Sequence, residues 1–320
     1  MKIKRILCAV LTAAMIGSVS SCGCESGSPV EPTNTTTTAE TTTRETTTER
    51  TTTERTTTTT EMPSDTDTEI VGTTDTVTDE GLVSESADEA AYASSYIDMT
   101  KTGWGLGKEK NDKNQPVDAV NAQEKYSEYN AEFLTADGKI LLTFDAGYEN
   151  GCTAEILDTL KEKNTKAVFF VTYDYCKTNP GLVQRMIAEG HTVGNHTYSH
   201  PSMPDCSESE MIEEVMALHD YAAEKFGYEM TLFRFPKGEF SEKALSVVKS
   251  LGYTSVFWSF AYSDWDTNSQ PDPVQSLQKI KDSTHSGIYL LHAVSETNTL
   301  ILGDVIDYWK NEGYEITGTI

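Results

Sequence analysis

The sequence predicts an α/β fold, a distorted (β/α) barrel of about seven strands preceded by a disordered Thr-rich stalk. Three observations predict it. From about residue 136 onward, short apolar runs alternate with amphipathic helical stretches, the signature of a parallel sheet with helices outside it. Six or seven such units in succession close into a barrel more naturally than they stay open. Before them, the first aromatic residue is Tyr92, so the preceding segment cannot bury enough apolar area to offset the entropy of ordering it.

Within the folded part, KILLTF (139–144) is an apolar run of strand type. CTAEILDTLKEKN (152–164) places Ile156, Leu157 and Leu160 at helical spacing. AVFFVT (167–172) reads as a buried strand, and PGLVQRMIAEG (180–190) as a helix opened by Pro and closed by Gly. HTVGNH (191–196) is a strand, and the long helix of 207–227 is entered through Ser and Glu. TLFRFP, SEKALSVVKSLG and TSVFWSF continue the alternation as strand, helix and strand. Trp258, inside TSVFWSF, is expected in the core. A helix near 274–282, the strand GIYLLH (287–292), a helix near 297–312 and a closing YEITG complete the pattern.

The N-terminal part divides into two segments. Residues 1–21 read as a lipoprotein signal peptide. Lys2, Lys4 and Arg5 precede an apolar run from Ile6 to Ile16, too short to span a bilayer comfortably. Val19-Ser20-Ser21-Cys22 resembles a bacterial lipobox, which implies cleavage before Cys22 and a membrane anchor through lipid on its thiol. The competing reading is an ordinary signal peptide with Cys22 incidental. Residues 22–92 form an acidic linker containing TTTRETTTERTTTERTTTTT, a composition shared with glycosylated stalks. As a flexible coil of ~70 residues it spans about 45 Å. The catalytic domain is then 93–320. These segments together place the chain at the cell membrane, lipid-anchored on the extracytoplasmic face.

A formal charge of −25 repels nucleic acid and anionic headgroups, so nucleic acid is excluded as a partner. Of the six cysteines, Cys8 leaves with the signal and Cys22 carries lipid. Cys24, Cys152, Cys176 and Cys206 are too scattered for a zinc pattern. An exported location permits disulfides, but the spacing selects no pairing.

The informative coincidence is positional. Asp145 follows LLTF, His196 and His200 follow the HTVGN strand, and Arg234 ends TLF. Asp264 lies just beyond TSVFWSF, and His292 caps IYLL. In a parallel α/β architecture these strand ends open onto one face, where active sites are built. Packing alone does not explain ionisable groups at five strand ends. His196 and His200 form an H-x-x-x-H pair able to share a metal. Arg234 buried without a carboxylate would be very costly, and Asp145 is its expected partner.

TFDAGYENG, HTYSH, RFPKG, FAYSDWD and LLHAVS, in this order, resemble the five motifs of the polysaccharide deacetylase (NodB-homology, carbohydrate esterase family 4) family over about residues 100–318. The GYENG extension, FWSFAYSDW, YLLHAVSETN and the leading WGLGKEKNDKNQP further resemble the branch that deacetylates muramic acid during δ-lactam formation in peptidoglycan. The resemblance implies Asp145 as general base, His292 as general acid, Arg234 as the group holding the base and Asp264 as the carboxylate orienting the acid. It implies His196 and His200 as ligands of a divalent metal, zinc first. The main-chain N–H of Lys237 aligns with the oxyanion donor, and Tyr148 and Trp265 are candidate substrate contacts. These types suit an amide, a poor electrophile whose hydrolysis benefits from a Lewis acid, an aimed N–H and a proton for the departing amine. One departure matters. Ala146 stands where the family places a second Asp, its third metal ligand, so the metal is expected to bind weakly.

Three alternatives remain open from the residues: N-acetylglucosamine or chitooligosaccharide as substrate, a catalytically inactive glycan-binding barrel, and a Cys-His hydrolase using Cys152. Retention of an acid, a base and their partners argues against the second, because a binding module needs neither.

Overall fold

The computed structural model of the protein describes residues 97–320. The expected signal segment 1–21 and linker 22–92 lie outside the described residues.

The first elements are ones the sequence pattern does not predict: a two-residue strand β1 (Thr102–Gly103), helix α1 (Val117–Tyr126) and a two-residue strand β2 (Ala131–Glu132). The expected alternation follows. Strand β3 (Lys139–Ala146) is buried from Ile140 to its end. Helix α2 (Thr153–Glu162) turns Ile156, Leu157 and Leu160 inward. Strand β4 (Val168–Val171) is buried throughout. A short helix α3 (Tyr173–Thr178), capped by the Thr172 hydroxyl, is again unanticipated. Helix α4 (Pro180–Ala188) opens on its Pro, and strand β5 (Thr192–Asn195) follows. Helix α5 (Glu208–Phe226) starts in a capping box of Ser207 with Glu210 and ends at Gly227 in the left-handed region.

Strand β6 (Leu232–Phe233) is shorter than TLFRFP, because the chain turns at Pro236–Gly238 into β7 (Glu239–Phe240). Helix α6 (Glu242–Ser250), strand β8 (Thr254–Val256), helix α7 (Pro273–Asp282), strand β9 (Gly287–His292), helix α8 (Glu296–Asn311) and strand β10 (Glu315–Thr317) complete the order.

Eight strands form one parallel sheet in the order β10-β3-β4-β5-β6-β8-β2, with β9 also on β3. Along one edge of β3, β10 pairs with its first residues and β4 with its last, while β9 runs along the other edge. Past β8, Phe260 bridges Tyr289 of β9, so hydrogen bonding returns to β3 and the sheet curls into a distorted barrel. Outside it, β1 pairs antiparallel with β7.

The period of two along each strand decides what faces inward. Leu141, Val168, Phe170, Leu232, Val256 and Ile288 form a small apolar cluster separate from the main core. Their strand spacing places them inside the barrel, and continuing the same alternation on β3 and β9, through Thr143 and Leu290, brings Asp145 and His292 inward four residues beyond Leu141 and Ile288. At Gly194 on β5, an added Cβ would come within 2.5 Å of the Phe170 ring, so this layer admits no larger side chain there. The main core packs helices against the sheet's outer face, with Trp309 of α8 fully buried. Among the described residues, no helix is long and apolar enough to cross a membrane.

Candidate active site

The strand ends converge on one cavity of 760 Å³, whose wall includes Asp145, His196, His200, Lys237, Trp265 and His292. Tyr148 also lines it, and both Tyr148 and Trp265 are more than half exposed at its lip. Arg234 and Asp264 stand behind the wall, fully buried.

Arg234 donates from Nη1 to Asp145 Oδ1 at 2.8 Å and to Thr143 Oγ1 at 2.8 Å. Its Nε and Nη2 donate to the carbonyls of Val256 and Phe257, and its guanidinium lies 4.2 Å from the Phe170 ring centre. Each of these contacts offsets part of the desolvation of a buried cation. Burial works to raise the Asp145 carboxyl, but the charge of Arg234, aided by nearby His196 and His292, holds it below the usual carboxylate range. A carboxylate so held is ionised at neutral pH and able to accept a proton.

On the adjacent strand β9 the opposite is built. His292 Nδ1 lies 2.7 Å from Asp264 Oδ1, and the His292 N–H donates to Oδ2 at 2.8 Å. Burial would push the imidazole down, yet the hydrogen bond and charge of Asp264 outweigh it, and His292 titrates above its ordinary value. Since Asp264 accepts from Nδ1–H, Nε2 is the nitrogen free to deliver a proton. Asp264 is itself fixed by Asn298 Nδ2 at 2.6 Å, and Tyr262 donates to the Asn298 side-chain oxygen. Sequence reasoning passed over Asn298. A polar residue on the buried face of α8, between Thr297 and Ile301, was the available signal.

His196 and His200 come together at the cavity. The Arg234 carbonyl, 2.9 Å from His196 Nδ1, can only accept, so Nδ1 carries the hydrogen and the Nε2 lone pair faces outward. Burial lowers the pKa of His196 and, with His196 beside it, pushes His200 down to about 4, so the site disfavours the protonated form of both rings. Their Nε2 atoms are 3.2 Å apart. Two imidazoles sharing a tetrahedral zinc at 2.0–2.1 Å would stand about 3.4 Å apart, so the pair fits a divalent ion with little movement. Ala146 is fully buried and offers no donor atom. Among the described residues, no group of three His, Cys, Asp or Glu could hold a metal.

One expectation is corrected. Trp258 is partly exposed and lines the cavity. The ladder of β8 stops at Val256, and hydrogen bonding passes to β9 at Ser259 and Phe260, with Trp258 between. Three histidines serve the scaffold: His191 near Ala167, His219 beside Tyr253 and His285 beside Ser259. Cys152, Cys176 and Cys206 are free thiols. Cys152 is buried at the start of α2, where its thiol approaches the Val294 carbonyl at 3.7 Å and desolvation raises its pKa.

A family model described as polysaccharide deacetylase matches residues 134–256. An uncharacterized 30.6 kDa protein of Geobacillus stearothermophilus is 43% identical over 216 residues, covering 66% of this chain and 81% of that protein. The peptidoglycan-N-acetylmuramic acid deacetylase PdaA of Bacillus subtilis is 38% identical with the same coverage. A solved structure of B. subtilis PdaA, a family 4 carbohydrate esterase, superimposes with a TM-score of 0.65 at 34% identity, covering 68% of this chain and 95% of that one.

Proposed function

Since this chain belongs to the polysaccharide deacetylase family, we propose that it is an amide hydrolase that removes the acetyl group from N-acetylated amino sugars of peptidoglycan, N-acetylmuramic acid above all. The freed amine of a muramic residue can then condense with its own lactyl carboxyl, the new C–N bond forming with loss of water, to give the δ-lactam. The observation that carries the reaction is the pairing of a carboxylate held low by Arg234 with an imidazole held high by Asp264, across one cavity. Two titratable groups pushed in opposite directions are what acid–base hydrolysis at neutral pH requires. Support for the muramic sugar is the likeness to the B. subtilis enzyme named for it.

In this reaction Asp145 takes a proton from a water that attacks the acetamide carbon. The Lys237 N–H would receive the developing oxyanion. His292 protonates the departing nitrogen, releasing acetate and the amino sugar. A divalent ion held by His196 and His200, zinc first among those suited to imidazole, would supply Lewis acidity toward the acetamide oxygen. Tyr148, Trp258 and Trp265 present aromatic faces for the sugar rings. The catalytic domain is proposed to work from the outer membrane face, tied there through the 22–92 linker by lipid on Cys22.

A second reading, an inactive glycan-binding barrel, draws on Ala146. Acetate release from defined muropeptides by the purified protein, and its loss on Asp145→Asn, separates the two. Glycan binding without acetate release, at any divalent metal supplied, would overturn the hydrolase. Release from N-acetylglucosamine units alone would replace the substrate.

A further inference from the structure

Of the two imidazoles that meet in the cavity, one is fixed by its own contacts and one is not. His196 directly follows β5. Its N–H donates to the Val171 carbonyl at 3.0 Å, and its Nδ1–H to the Arg234 carbonyl at 2.9 Å. The His200 ring has a single polar contact among the described residues, His196 Nε2 at 3.2 Å. Where that ring stands is therefore decided by the backbone of the loop 197–200.

That backbone is unfavourable on its own. Thr197 and His200 both sit in the left-handed region, with φ of 71° and 60°, which a β-branched residue rarely adopts. Strain of this kind persists only where surrounding contacts over-determine it. Inside the loop, the Thr197 N–H donates to Asn195 Oδ1 and the His200 N–H to Thr197 Oγ1, both at 2.9 Å. From outside, helix α5 takes the next donors. The Tyr198 N–H donates to the Glu214 carbonyl at 2.9 Å, the Ser199 N–H to Glu214 Oε2 at 2.7 Å, and the Ser199 hydroxyl to Glu214 Oε1. One residue further along the helix, the Val215 carbonyl accepts from Asn195 Nδ2 at 2.8 Å. Val215 is itself fully buried, so Glu214 grips the loop from an element anchored in the core.

Order in the pair matters more here than where a third ligand helps. Bringing an imidazole into place at the moment of binding costs affinity, and Ala146 adds no donor to offset that cost. Contacts that orient metal ligands from behind commonly govern how tightly the ion is held. We propose that Glu214 is a positioning residue, holding His200 opposite His196 so that two imidazoles suffice to bind a divalent ion. This rests on the metal-assisted hydrolysis proposed for the same cavity.

Zinc titrated calorimetrically into the metal-stripped protein tests this. Glu214→Ala introduces the best helix former and so spares α5. It should weaken zinc binding by about tenfold to a hundredfold. Glu214→Gln removes the charge but keeps an oxygen that accepts, and should retain most of the affinity. Glu210→Ala is the control for general damage to α5. It breaks the capping box at Ser207 and should lower Tm while zinc binds as before. The rise in Tm that zinc confers should shrink in Glu214→Ala and persist in the other two. An unchanged zinc affinity in Glu214→Ala overturns the proposal. An equal loss in Glu210→Ala or in Glu214→Gln also overturns it, by assigning the effect to stability or to charge. Zinc bound equally by the unsubstituted protein and by His200→Ala would sink the metal reading, and the proposal with it. Glu214-dependent zinc binding without acetate release from muropeptides would uphold the proposal and sink the deacetylation reading.

Discussion

Asp145 and His292 are register partners on the adjacent parallel strands β3 and β9. Neighbouring strands lie about 4.8 Å apart, and partners in a parallel ladder face the same side of the sheet. The Ala293 N–H donates to the Asp145 carbonyl at 3.1 Å, extending the ladder just past the pair. The proposed base and acid are thus held by two strands locked into the barrel, and neither sits on a movable loop. Each is backed by a buried group of opposite charge, Arg234 behind one and Asp264 behind the other.

Asp145→Asn should abolish acetate release, by ~10²-fold at least, because the water loses its proton acceptor. It should also destabilise the fold. Removing one partner of a buried pair leaves Arg234 uncompensated, a cost of about 3–5 kcal/mol and roughly 10 °C in Tm for a domain of this size. Acetate assay and calorimetric unfolding together check both. Near-normal turnover would remove Asp145 from the mechanism.

Asp264→Asn should move the alkaline limb of the kcat/KM–pH profile toward lower pH. His292 is raised because Asp264 outweighs its burial. With the carboxylate gone, desolvation acts unopposed and the imidazole gives up its proton at lower pH. The acid form needed to protonate the amine is then scarcer at neutral pH, and the rate there falls. The acid limb, set by Asp145, should stay in place. Imidazole titration followed by NMR reports the same shift directly, and a limb that does not move would sink the assignment.

The strands carrying these residues were legible because ILLTF and IYLL are continuous apolar runs bounded by turns, the pattern of a parallel strand buried on both faces. Less was legible where local signal is thin. The two-residue strands β1, β2 and β7 and the six-residue helix α3 are too short to show a period. TSVFWSF reads as one strand, and no local feature announces that the regular strand ends at Val256 and that Trp258 turns to the cavity. The roles of Thr143 and Asn298 exist only through partners distant in sequence, Arg234 and Asp264. A neutral residue acquires such a role from tertiary contact alone. The ionisable residues were conspicuous because a charge at the end of an apolar run is costly unless it is used.

Exhaustive chelation should lower acetate release, and adding back zinc, cobalt or manganese should restore it. With two imidazoles and no third protein ligand, the ion should be lost on simple dialysis, whereas a closed three-ligand site would retain it. His200→Ala should weaken zinc binding at least tenfold by equilibrium dialysis. Full activity after chelation would show that His196 and His200 serve the substrate alone.

Cys152→Ser should leave turnover within about twofold of the unsubstituted enzyme, since the thiol is buried against the Val294 carbonyl and desolvation disfavours the thiolate a nucleophile needs. Loss of acetate release without loss of Tm would revive a cysteine hydrolase.

Gly238→Ala tests whether the turn after β6 sets the cavity wall. Gly238 has a φ of 66°, and an added Cβ would lie 2.7 Å from the Trp258 ring and 3.2 Å from Trp104. The left-handed backbone costs a non-glycine residue about 1–2 kcal/mol, and overpacking adds about 1–3 kcal/mol. Together these should lower Tm by roughly 5–10 °C. Trp104→Phe is the milder probe. It keeps an aromatic ring against Phe133 but deletes the indole hydrogen bond to the Trp258 carbonyl, a loss of about 1 kcal/mol. Both changes loosen the turn bearing Lys237 and the loop bearing Trp258, so both should lower kcat by more than their stability cost alone explains at 25 °C, where each variant remains folded. A variant that loses Tm but keeps kcat would assign the N-terminal segment around Trp104 to stability only.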